Sequence, residues 1–172
     1  MAVDPGKVSA CLKECQHHLT QELLPFWLDR CKDDKHGGFI THFDEQGKDT
    51  GEDEKSLIAQ SRTVYTMASA HKAGFGNGQC AEYAKHGVDF LIERMWDAEH
   101  GGFFWTVNRA GQVAIDKKIL YGLSFAIYAL SEYSMATQDA RGIEYAQTVF
   151  DLVKKHCADT MYGGYWEMFE RN

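Results

Sequence analysis

The amino-acid sequence predicts an all-α protein, an α/α toroid in which inner and outer helices alternate along the chain and short β-hairpins join the helix pairs. The first observation is a repeated phrase, DDKHGGF at 33–39, DAEHGGF at 97–103 and DTMYGGY at 159–165, whose glycine pairs lie 64 and 62 residues apart. The second is that the helices between these phrases alternate between two kinds, apolar on one side or apolar nearly all round. A fixed period of this length indicates a fold built from stacked repeats.

Three segments predict amphipathic helices that expose one face to water, which is the pattern of an outer helix. The first begins at Asp4-Pro5, an N-cap followed by proline at the first helical position. Its apolar stripe consists of Val8, Leu12, Cys15, Leu19 and Leu23. Residues 79–96 and 141–156 carry the same one-sided pattern in the second and third outer helices.

Each glycine pair opens a pattern that predicts a β-hairpin. GGFITHFDEQGK at 37–48 aligns with GGFFWTVNRAGQ at 101–112, and each has an aromatic or β-branched run, polar residues, and a glycine ten positions on. Residues 118–133 and, less completely, 55–70 then predict inner helices. Because these segments are apolar nearly all round, with small residues among large ones, we expect both sides of each helix to be covered.

The third copy of the phrase ends in GGYWEMFERN, without a turn glycine or a further inner helix. We therefore expect residues 1–172 to form a single domain that is an incomplete barrel of about two and a half helix-pair repeats. The uncovered flank of the last inner helix should be sticky, because large exposed apolar patches mark interaction sites. A homo-oligomer that covers this open flank is one expected partner.

Composition narrows the functional classes. The net charge is −7 and the sequence has no Lys/Arg block, which argues against a nucleic-acid or anionic-membrane partner. No apolar run reaches the ~18–20 residues that span a bilayer. The N-terminus lacks an apolar signal core, so a cytoplasmic location is expected. The five cysteines contain no CxxC pair and are interpreted as reduced thiols, and no metal site is expected.

Arg62 stands out because it is a charged residue about two turns into an inner helix, where the second repeat has Phe125. A buried arginine needs a partner, because its desolvation is costly. One interpretation is a salt bridge to Glu54, Asp53 or another carboxylate. The other is an anion or oxyanion holder at the centre of the toroid, because a guanidinium stays charged and presents a rigid fork of donors.

Four further residues are candidates for a substrate site at the hairpin end of the toroid. Tyr121 lies in the first turn of the second inner helix, where helix N-termini favour anionic species. Trp105, Trp166 and Glu167 follow the glycine pairs on the hairpins and are placed to line the same mouth. For the two tryptophans, packing of the hairpin on its helices and stacking on a sugar ring both remain open.

The segments LLPFWLDRCKDDKHGGF, SLIAQSRTVYTMASAH, GGFFWTVNRAGQ, SFAIYALSEY and GGYWEMFER, taken in order, resemble the N-acylglucosamine 2-epimerase superfamily, and within it the cellobiose 2-epimerase and mannose isomerase branch. The resemblance runs from about residue 20 to the end of the sequence. It implies the N-terminal half of an (α/α)6 barrel. It also implies reversible proton transfer at sugar C2 through an enediolate, on a mono- or disaccharide, with no metal or organic cofactor.

The resemblance assigns roles to two residues, and other residues expected in the family have no match in this sequence. Arg62 matches an arginine that holds the sugar oxygens, and Tyr121 matches a substrate-contacting tyrosine. Gly122 departs from the asparagine expected after that tyrosine in the cellobiose branch, which counts against a disaccharide. The catalytic histidines of the family fall in later inner helices and match none of the eight histidines here. The 172-residue chain alone is therefore expected to be inactive.

Two other functions fit the same pattern. One is a non-catalytic half-toroid that binds carbohydrate or assembles with itself through the same aromatic mouth. The other is a glycoside hydrolase on the same barrel type, which needs two carboxylates ~5–10 Å apart. The sequence offers only Glu167 as a plausible member of such a pair.

Overall fold

Helices carry most of the fold in the computed structural model, which describes residues 4–171. The α-helices are α1 (Pro5–His18), α2 (Leu24–Arg30), α3 (Leu57–Lys72), α4 (Gln79–Phe90), α5 (Leu120–Thr137) and α6 (Ala140–His156). A π-helical turn, Leu19–Leu23, joins α1 to α2 without a break, and a second, Leu91–Met95, extends α4. A 3₁₀ turn at Gly76–Gly78 leads into α4.

The helices form two layers that alternate along the chain, as the sequence predicts for an α/α toroid. The inner helices α3 and α5 pack side by side, and each packs against the outer helix that follows it, α4 and α6 respectively. Glycines allow the close approaches: a Cβ at Gly142 of α6 would lie 2.5 Å from the Leu130 carbonyl oxygen of α5. These helices enclose one continuous apolar core, and the described part of the ring remains open.

Short strands connect consecutive repeats. They are β1 (Glu54–Ser56), β2 (Thr106–Asn108), β3 (Val113–Ile115), β4 (Lys118–Ile119) and β5 (Met168–Phe169). The antiparallel sheet β1-β2-β3 joins the strand before α3 to the hairpin before α5. In the same way, β4 before α5 pairs with β5, which comes after α6. Each inner helix is thus tied at its N-terminus to the hairpin of the next repeat.

The predicted hairpin over 37–48 was wrong in detail. That segment contains no regular strand pair and is held by the single bridges Lys32–Phe39 and Phe43–Asp49. The Asp44 side chain accepts hydrogen bonds from the amides of Gln46 and Lys48. Such side-chain turns compete with a regular ladder for backbone donors.

The repeated Asp–Gly–Gly phrase forms the same turn three times: turn 1 (33–38), turn 2 (97–102) and turn 3 (159–164). In each turn, the aspartate Oδ1 accepts two backbone amides of the following residues. The first glycine donates its amide to the aspartate carbonyl. Both glycines of every pair have positive φ, between 66° and 83°, which explains why glycine is used there.

Two ion clusters, each built around a buried Asp–Lys pair, tie turns 1 and 2 to the inner helices. In latch 1 (Asp33, Lys55, Arg109), Lys55 Nζ lies 2.9 Å and Arg109 Nε 3.4 Å from the same Asp33 oxygen. In latch 2 (Asp97, Lys118, Arg171), Lys118 Nζ and Arg171 Nε lie 3.1 and 2.7 Å from Asp97 Oδ2. The lysine precedes the inner helix, and the arginine comes from the next hairpin, so each latch crosses a repeat boundary.

The structure corrects two expectations about helix burial. No residue of α1 is buried, and Val8 and Leu12 of its apolar stripe are half exposed. Of the stripe, Leu19 packs against the core, whereas Val8, Leu12 and Cys15 take no part in the core that residues 4–171 form. The inner helices were expected to be covered on both sides, yet α3 and α5 each leave one face open, because that face lines the concave side of the open ring.

Candidate functional site

The open faces of α3 and α5 form a concave surface at the hairpin end of the toroid. Residues on this surface follow helical spacing, with Arg62 and Thr66 one turn apart on α3 and Tyr121, Phe125 and Tyr128 on successive turns of α5. Because i, i+4 residues share a helix face, the two inner helices present one continuous cationic and aromatic strip.

Arg62 lies on this strip with its guanidinium exposed. Its Cζ is 5.8 Å from the centroid of the Phe125 ring, which is within cation–π range. No carboxylate of residues 4–171 forms an ion pair with Arg62, so the predicted salt bridge to Asp53 or Glu54 is wrong. Asp53 instead accepts the backbone amide of Arg109. The guanidinium therefore keeps its donors available for a bound oxyanion or hydroxyl group.

A cavity of ≈ 440 Å³ opens beside Arg62 on the flank of α3. It is lined by Trp27, Thr41, Ser56, Ile58, Ala59, Arg62, Thr63, Thr66 and Met67. The lining combines one indole, one cation and four hydroxyl groups. Thr41 Oγ1 is buried there and has no hydrogen-bond partner among the described residues. An aromatic face, a fixed cation and several hydroxyls are the groups that a sugar-sized polar ligand needs.

Tyr121 lies where the sequence predicts, on the first turn of α5, and is 53% exposed. Its ring meets the Phe125 ring edge to face, with centroids 5.0 Å apart. Phe125 in turn meets Tyr128 at 6.3 Å, and Tyr128 stacks on Tyr65 of α3 at 3.8 Å. These contacts connect Tyr121 to Arg62 through the single ring of Phe125.

Trp105 is half-buried and packs on the inner helices. A Cβ at Gly122 would lie 2.9 Å from Trp105 Cζ3, so the indole rests directly on the backbone of α5. The Trp105 carbonyl accepts the Leu57 amide at the start of α3, and its own amide donates to Ile115. Of the two interpretations of this tryptophan, the packing of the hairpin on its helices is the one for which the structure gives direct contacts.

Trp166 and Glu167 are exposed on the last hairpin, and the structure does not bring them to Arg62. Trp166 is 59% exposed, and its amide donates to the Cys157 carbonyl. The Glu167 carbonyl accepts the Leu120 amide in the β4–β5 connection. Both residues therefore lie on the open flank of α5 and α6 rather than beside the cavity on α3.

Three contributors to the concave surface were missed from the sequence. Tyr65 and Tyr128 lie 63 residues apart, at matching positions of the two inner helices, a spacing from which the pair could have been found. The adjacent Tyr65 hydroxyl raises the pKa of Tyr128 to about 12. Glu132, a buried carboxylate on α5, binds Lys72 Nζ at 2.5 Å and Ser69 Oγ at 2.9 Å. Lys72 holds the pKa of Glu132 below its ordinary value.

Four histidines make their contacts away from the cavity beside Arg62. His86 Nε2 lies 2.9 Å from the Gly38 carbonyl, and the His156 ring stacks on Phe169. His100 lies beside Glu99, and His42 is exposed near Arg109. No histidine lines the cavity beside Arg62. Within the described part of the chain, no three His, Cys, Asp or Glu side chains cluster to hold a metal ion.

No helix within residues 4–171 is both long and apolar enough to cross a membrane.

The structure has alternating inner and outer helices around a concave strip, which carries aromatic rings and the unpaired Arg62. These features define a class, the α/α toroids with a cleft for polar ligands. The particular family follows from the sequence. The family model described as N-acylglucosamine 2-epimerase (GlcNAc 2-epimerase) matches residues 38–172, and the chain belongs to this family.

Individual relatives agree with this assignment. The cellobiose 2-epimerase of Bacteroides fragilis is 33% identical over 165 residues, which cover 92% of this chain and 40% of the relative. The D-mannose isomerase of Marinomonas mediterranea is 26% identical over 84% of this chain and 36% of its own length. The structure of cellobiose 2-epimerase from Spirochaeta thermophila superimposes with a TM-score of 0.91 at 32% identity, over 97% of this chain and 41% of that chain.

The chain thus spans about 40% of the length of the relatives it matches. A glycoside hydrolase family 76 α-mannanase from Bacteroides thetaiotaomicron, at 17% identity and a TM-score of 0.67, shares the fold alone.

Proposed function

We propose that this chain supplies part of the substrate cleft of a sugar 2-epimerase or aldose–ketose isomerase, with Arg62 as the residue that binds the sugar oxygens. The observation that carries the proposal is the free Arg62 guanidinium on the concave strip, beside a cavity of ≈ 440 Å³ with hydroxyl groups and an indole in its walls. The names of the relatives, cellobiose 2-epimerase and D-mannose isomerase, support a saccharide substrate.

The proposed chemistry is a proton transfer at C2 of the opened sugar. A base removes the C2 proton, and the electron pair moves to the carbonyl oxygen to give an enediolate. Return of the proton to the other face of C2 gives the epimer, and its delivery to C1 gives the ketose. Negative charge develops on oxygen during the first step, and a preorganised guanidinium stabilises that charge more in the transition state than in the bound sugar.

Arg62 suits this role because no carboxylate of residues 4–171 pairs with it. An arginine already paired with a carboxylate would have to break that pair to hold an oxyanion. Here the guanidinium contacts the face of Phe125, which leaves its N–H fork free. Tyr121, at the other edge of Phe125, is placed to hydrogen-bond a hydroxyl of the same sugar.

No histidine lines the cavity beside Arg62, which supports a general base that lies elsewhere. General acid–base catalysis requires a group within hydrogen-bond reach of the proton it moves. We therefore propose that the 172-residue chain binds sugar without turning it over, and that the family's proton-transferring histidines lie outside it.

Isothermal titration of the purified chain with D-mannose, D-glucose and cellobiose tests the proposal. We expect Arg62→Lys to weaken binding by about tenfold, because a lysine loses at least one charge-assisted hydrogen bond of the fork. Arg94→Lys is the matched control, because Arg94 is an exposed arginine that packs on Gly111, away from the cavity. Equal affinities for wild type and Arg62→Lys would overturn the role of Arg62.

A turnover assay on the same samples completes the test. We expect no 2-epimerisation or isomerisation of the three sugars by the 172-residue chain. Measurable epimer or ketose, lost in Arg62→Gln, would show that the base lies within the chain and would contradict the proposed division of the site.

A non-catalytic half-toroid that binds carbohydrate or assembles with itself remains the second candidate. The observation that favours it is the exposed apolar surface at both edges of the open ring, with Val8 and Leu12 on α1 and Phe150, Tyr165 and Trp166 at the other edge. Light scattering on the purified chain tests self-assembly. A stable monomer over a wide concentration range would count against it.

A further inference from the structure

Matching residues of the two inner helices contact each other along the concave strip. Three such pairs have members 63 residues apart in the sequence: Arg62 with Phe125, Tyr65 with Tyr128, and Ser69 with Glu132. The Arg62 guanidinium lies over the Phe125 ring, the two tyrosine rings stack within 17° of parallel, and Ser69 Oγ donates to the carboxylate at 2.9 Å. The contacts between α3 and α5 thus change, from the hairpin end onward, from a cation on a ring to a hydroxyl on a carboxylate.

The end of this series away from the hairpins is a buried carboxylate. Glu132 is 6% exposed, and its Oε1 accepts hydrogen bonds from Lys72 Nζ and from the Ser69 hydroxyl. Lys72, and after it Ser69, hold the pKa of Glu132 below its ordinary value, which favours the ionised form. An ionised carboxylate only accepts hydrogen bonds, and a serine has a single proton to donate. Ser69 therefore gives its proton to Glu132, and its oxygen can only accept from other groups.

Tyr65 lies between Ser69 and Tyr128. It is one helical turn from Ser69 on the same face of α3, and its ring centroid lies 3.8 Å from that of Tyr128 on α5. The Tyr128 hydroxyl, and after it the Ser69 hydroxyl, lower the pKa of Tyr65, so both are neighbours of its phenol oxygen. Because Ser69 has no proton left to give, the Tyr65 proton is the one that can join these two oxygens.

The same argument fixes the direction of the Tyr128 proton. Tyr65 has one proton, and once that proton points to Ser69, the phenol oxygen of Tyr65 can only accept. Tyr128 then donates to Tyr65. The pKa directions agree: Tyr65 raises the pKa of Tyr128, as expected for a phenol whose proton is held by a neighbour, and Tyr128 lowers the pKa of Tyr65. Ser69, Tyr65 and Tyr128 are called the hydroxyl row below.

The hydroxyl row ends at the concave surface with an acceptor. Tyr128 is 46% exposed and lies on the same strip as Arg62, and its proton is directed away from solvent. Arg62 supplies only donors, because a guanidinium has no acceptor atom. The strip therefore offers donors and an acceptor side by side. This pair matches a ligand that carries a carbonyl or anionic oxygen next to a hydroxyl group.

We propose that Tyr128 is a further sugar-binding residue of this cleft and that its phenol oxygen accepts a hydrogen bond from a sugar hydroxyl. Ser69 and Glu132 are positioning residues, because they fix the direction of the Tyr128 proton through Tyr65. The proposal rests on the saccharide binding proposed above and adds the requirement that the ligand donates a proton here. Hydrogen bonds in series polarise one another, so a hydroxyl bound at Tyr128 also strengthens the hydroxyl row.

Double-mutant cycles in urea unfolding test the hydroxyl row without sugar. Because Tyr65 joins the other two hydroxyls, we expect the effects of Ser69→Ala and Tyr128→Phe on the unfolding constant to depart from additivity by about threefold. The same two substitutions should be additive in a Tyr65→Phe background. Tyr121→Phe is the matched control: it removes a phenol of the same helix that lies outside the hydroxyl row, and its effect should add to that of Ser69→Ala. Additive effects in both backgrounds would overturn the hydroxyl row.

Isothermal titration with D-mannose and its monodeoxy and monodeoxyfluoro derivatives tests the acceptor at Tyr128. Neither a fluorine nor a hydrogen on carbon can donate a hydrogen bond to the phenol oxygen. At one position of the sugar we expect both replacements to weaken binding to the wild-type chain by about tenfold. Binding to Tyr128→Phe should weaken less than about twofold at that position. A fluoro derivative that keeps the affinity of mannose while the deoxy derivative loses it would show that Tyr128 donates, and would overturn the proposal.

Ser69 separates a positioning role from a structural one. In Ser69→Ala the Tyr65 proton is released, and Tyr128 can then turn its own proton toward the cleft. The tenfold penalty for the fluoro derivative should therefore fall to about threefold or less. Ser69→Thr keeps the hydroxyl group and should restore the penalty. If Ser69→Ala lowered stability but left the ratio of the mannose and fluoro affinities unchanged, the positioning role would be wrong.

These outcomes distinguish the role of Tyr128 from the proposed function itself. Mannose binding that depends on Arg62, with no sugar position sensitive to Tyr128→Phe, would overturn the role of Tyr128 and leave the proposed function standing. Absence of mannose binding would overturn the sugar-binding roles of both residues. The unfolding cycles would in that case still decide whether the hydroxyl row exists, because they do not depend on a ligand.

Discussion

Turns 2 and 3 have the same backbone in different surroundings. Both begin with an aspartate that accepts two loop amides, and both contain two glycines at positive φ. In turn 2 the Asp97 side chain is 1% exposed and bound to Lys118 and Arg171, whereas in turn 3 Asp159 is half-buried and residues 160–164 are exposed. The comparison shows that the local sequence determines the turn, while the burial of its charge depends on the helix pair that follows.

The largest difference in stability between turns 2 and 3 is expected when each aspartate loses its charge but keeps its hydrogen bonds to the loop amides. Asp97→Asn should lower the free energy of unfolding by about 3–5 kcal/mol, because it leaves the buried Lys118 ammonium without its counter-ion. Asp159→Asn keeps the same acceptor for the loop amides and should change stability by less than about 0.5 kcal/mol. Urea unfolding of both variants measures the two values, and equal losses would contradict the assigned role of the latch.

The second glycine of the turns tests packing rather than charge. Gly38→Ala and Gly164→Ala both place a side chain at positive φ, at a cost of about 1–2 kcal/mol. At Gly38 the new methyl also collides with the Phe90 ring and with Gln60. The Gln60 side chain accepts a hydrogen bond from the Phe39 amide and donates one to the Phe39 carbonyl. We expect Gly38→Ala to lose about 2 kcal/mol more than Gly164→Ala. Similar melting temperatures for the two variants would count against this contact.

Acid tests the charge of latch 2 by another route. Arg171, and then Lys118 and the loop amides, hold the pKa of Asp97 well below its ordinary value of 3.8. A carboxyl group with a depressed pKa contributes stability above its unfolded pKa and loses it as the pH falls through the folded pKa. The stability gap between wild type and Asp97→Asn should be constant at neutral pH and narrow below about pH 4. A gap as large at pH 2 as at pH 7 would contradict this assignment.

Much of this arrangement could be predicted from the sequence, because the repeat determines which elements follow each other. The 64- and 62-residue spacing of the glycine pairs predicted the repeat, and the one-sided and all-round apolar patterns predicted the alternation of outer and inner helices. The family was predicted from the resemblance of five sequence segments. The lysines at 55 and 118 and the arginines at 109 and 171 recur at the same period, so the latches could also have been found. The burial of the latches could not be predicted, because the positions of an aspartate and a lysine in the sequence do not give the distance between them in the fold.

The candidate site was predictable in part. Arg62 and Tyr121 lie on one concave strip, as expected from their positions in the inner helices, although their roles remain predictions. The exposure of Trp166 and of the stripe on α1 was not predicted. An apolar pattern indicates that a helix face favours burial, but it does not indicate which element covers that face. Val8 and Leu12 belong to such a face and are half exposed here.

The smallest effect is expected from the arginine of latch 2. Arg171 is 36% exposed and binds both Asp97 and Glu99, so solvent screens much of its attraction. Arg171→Met keeps apolar contact with the Phe104 ring, over which the guanidinium lies at 5.5 Å, and leaves the Asp97–Lys118 pair intact. We expect Arg171→Met to destabilise the chain much less than Asp97→Asn does.

Salt dependence separates screening from burial in the same experiment. The contribution of Arg171 should shrink between low and about 1 M salt, where the Debye length falls to ~3 Å, while the contribution of the buried Asp97–Lys118 pair changes little. Arg171→Met therefore approaches wild type in high salt, and Asp97→Asn does not. If both variants responded to salt alike, Lys118 would be as accessible to solvent as Arg171, and the burial of the lysine would not be what distinguishes turn 2 from turn 3.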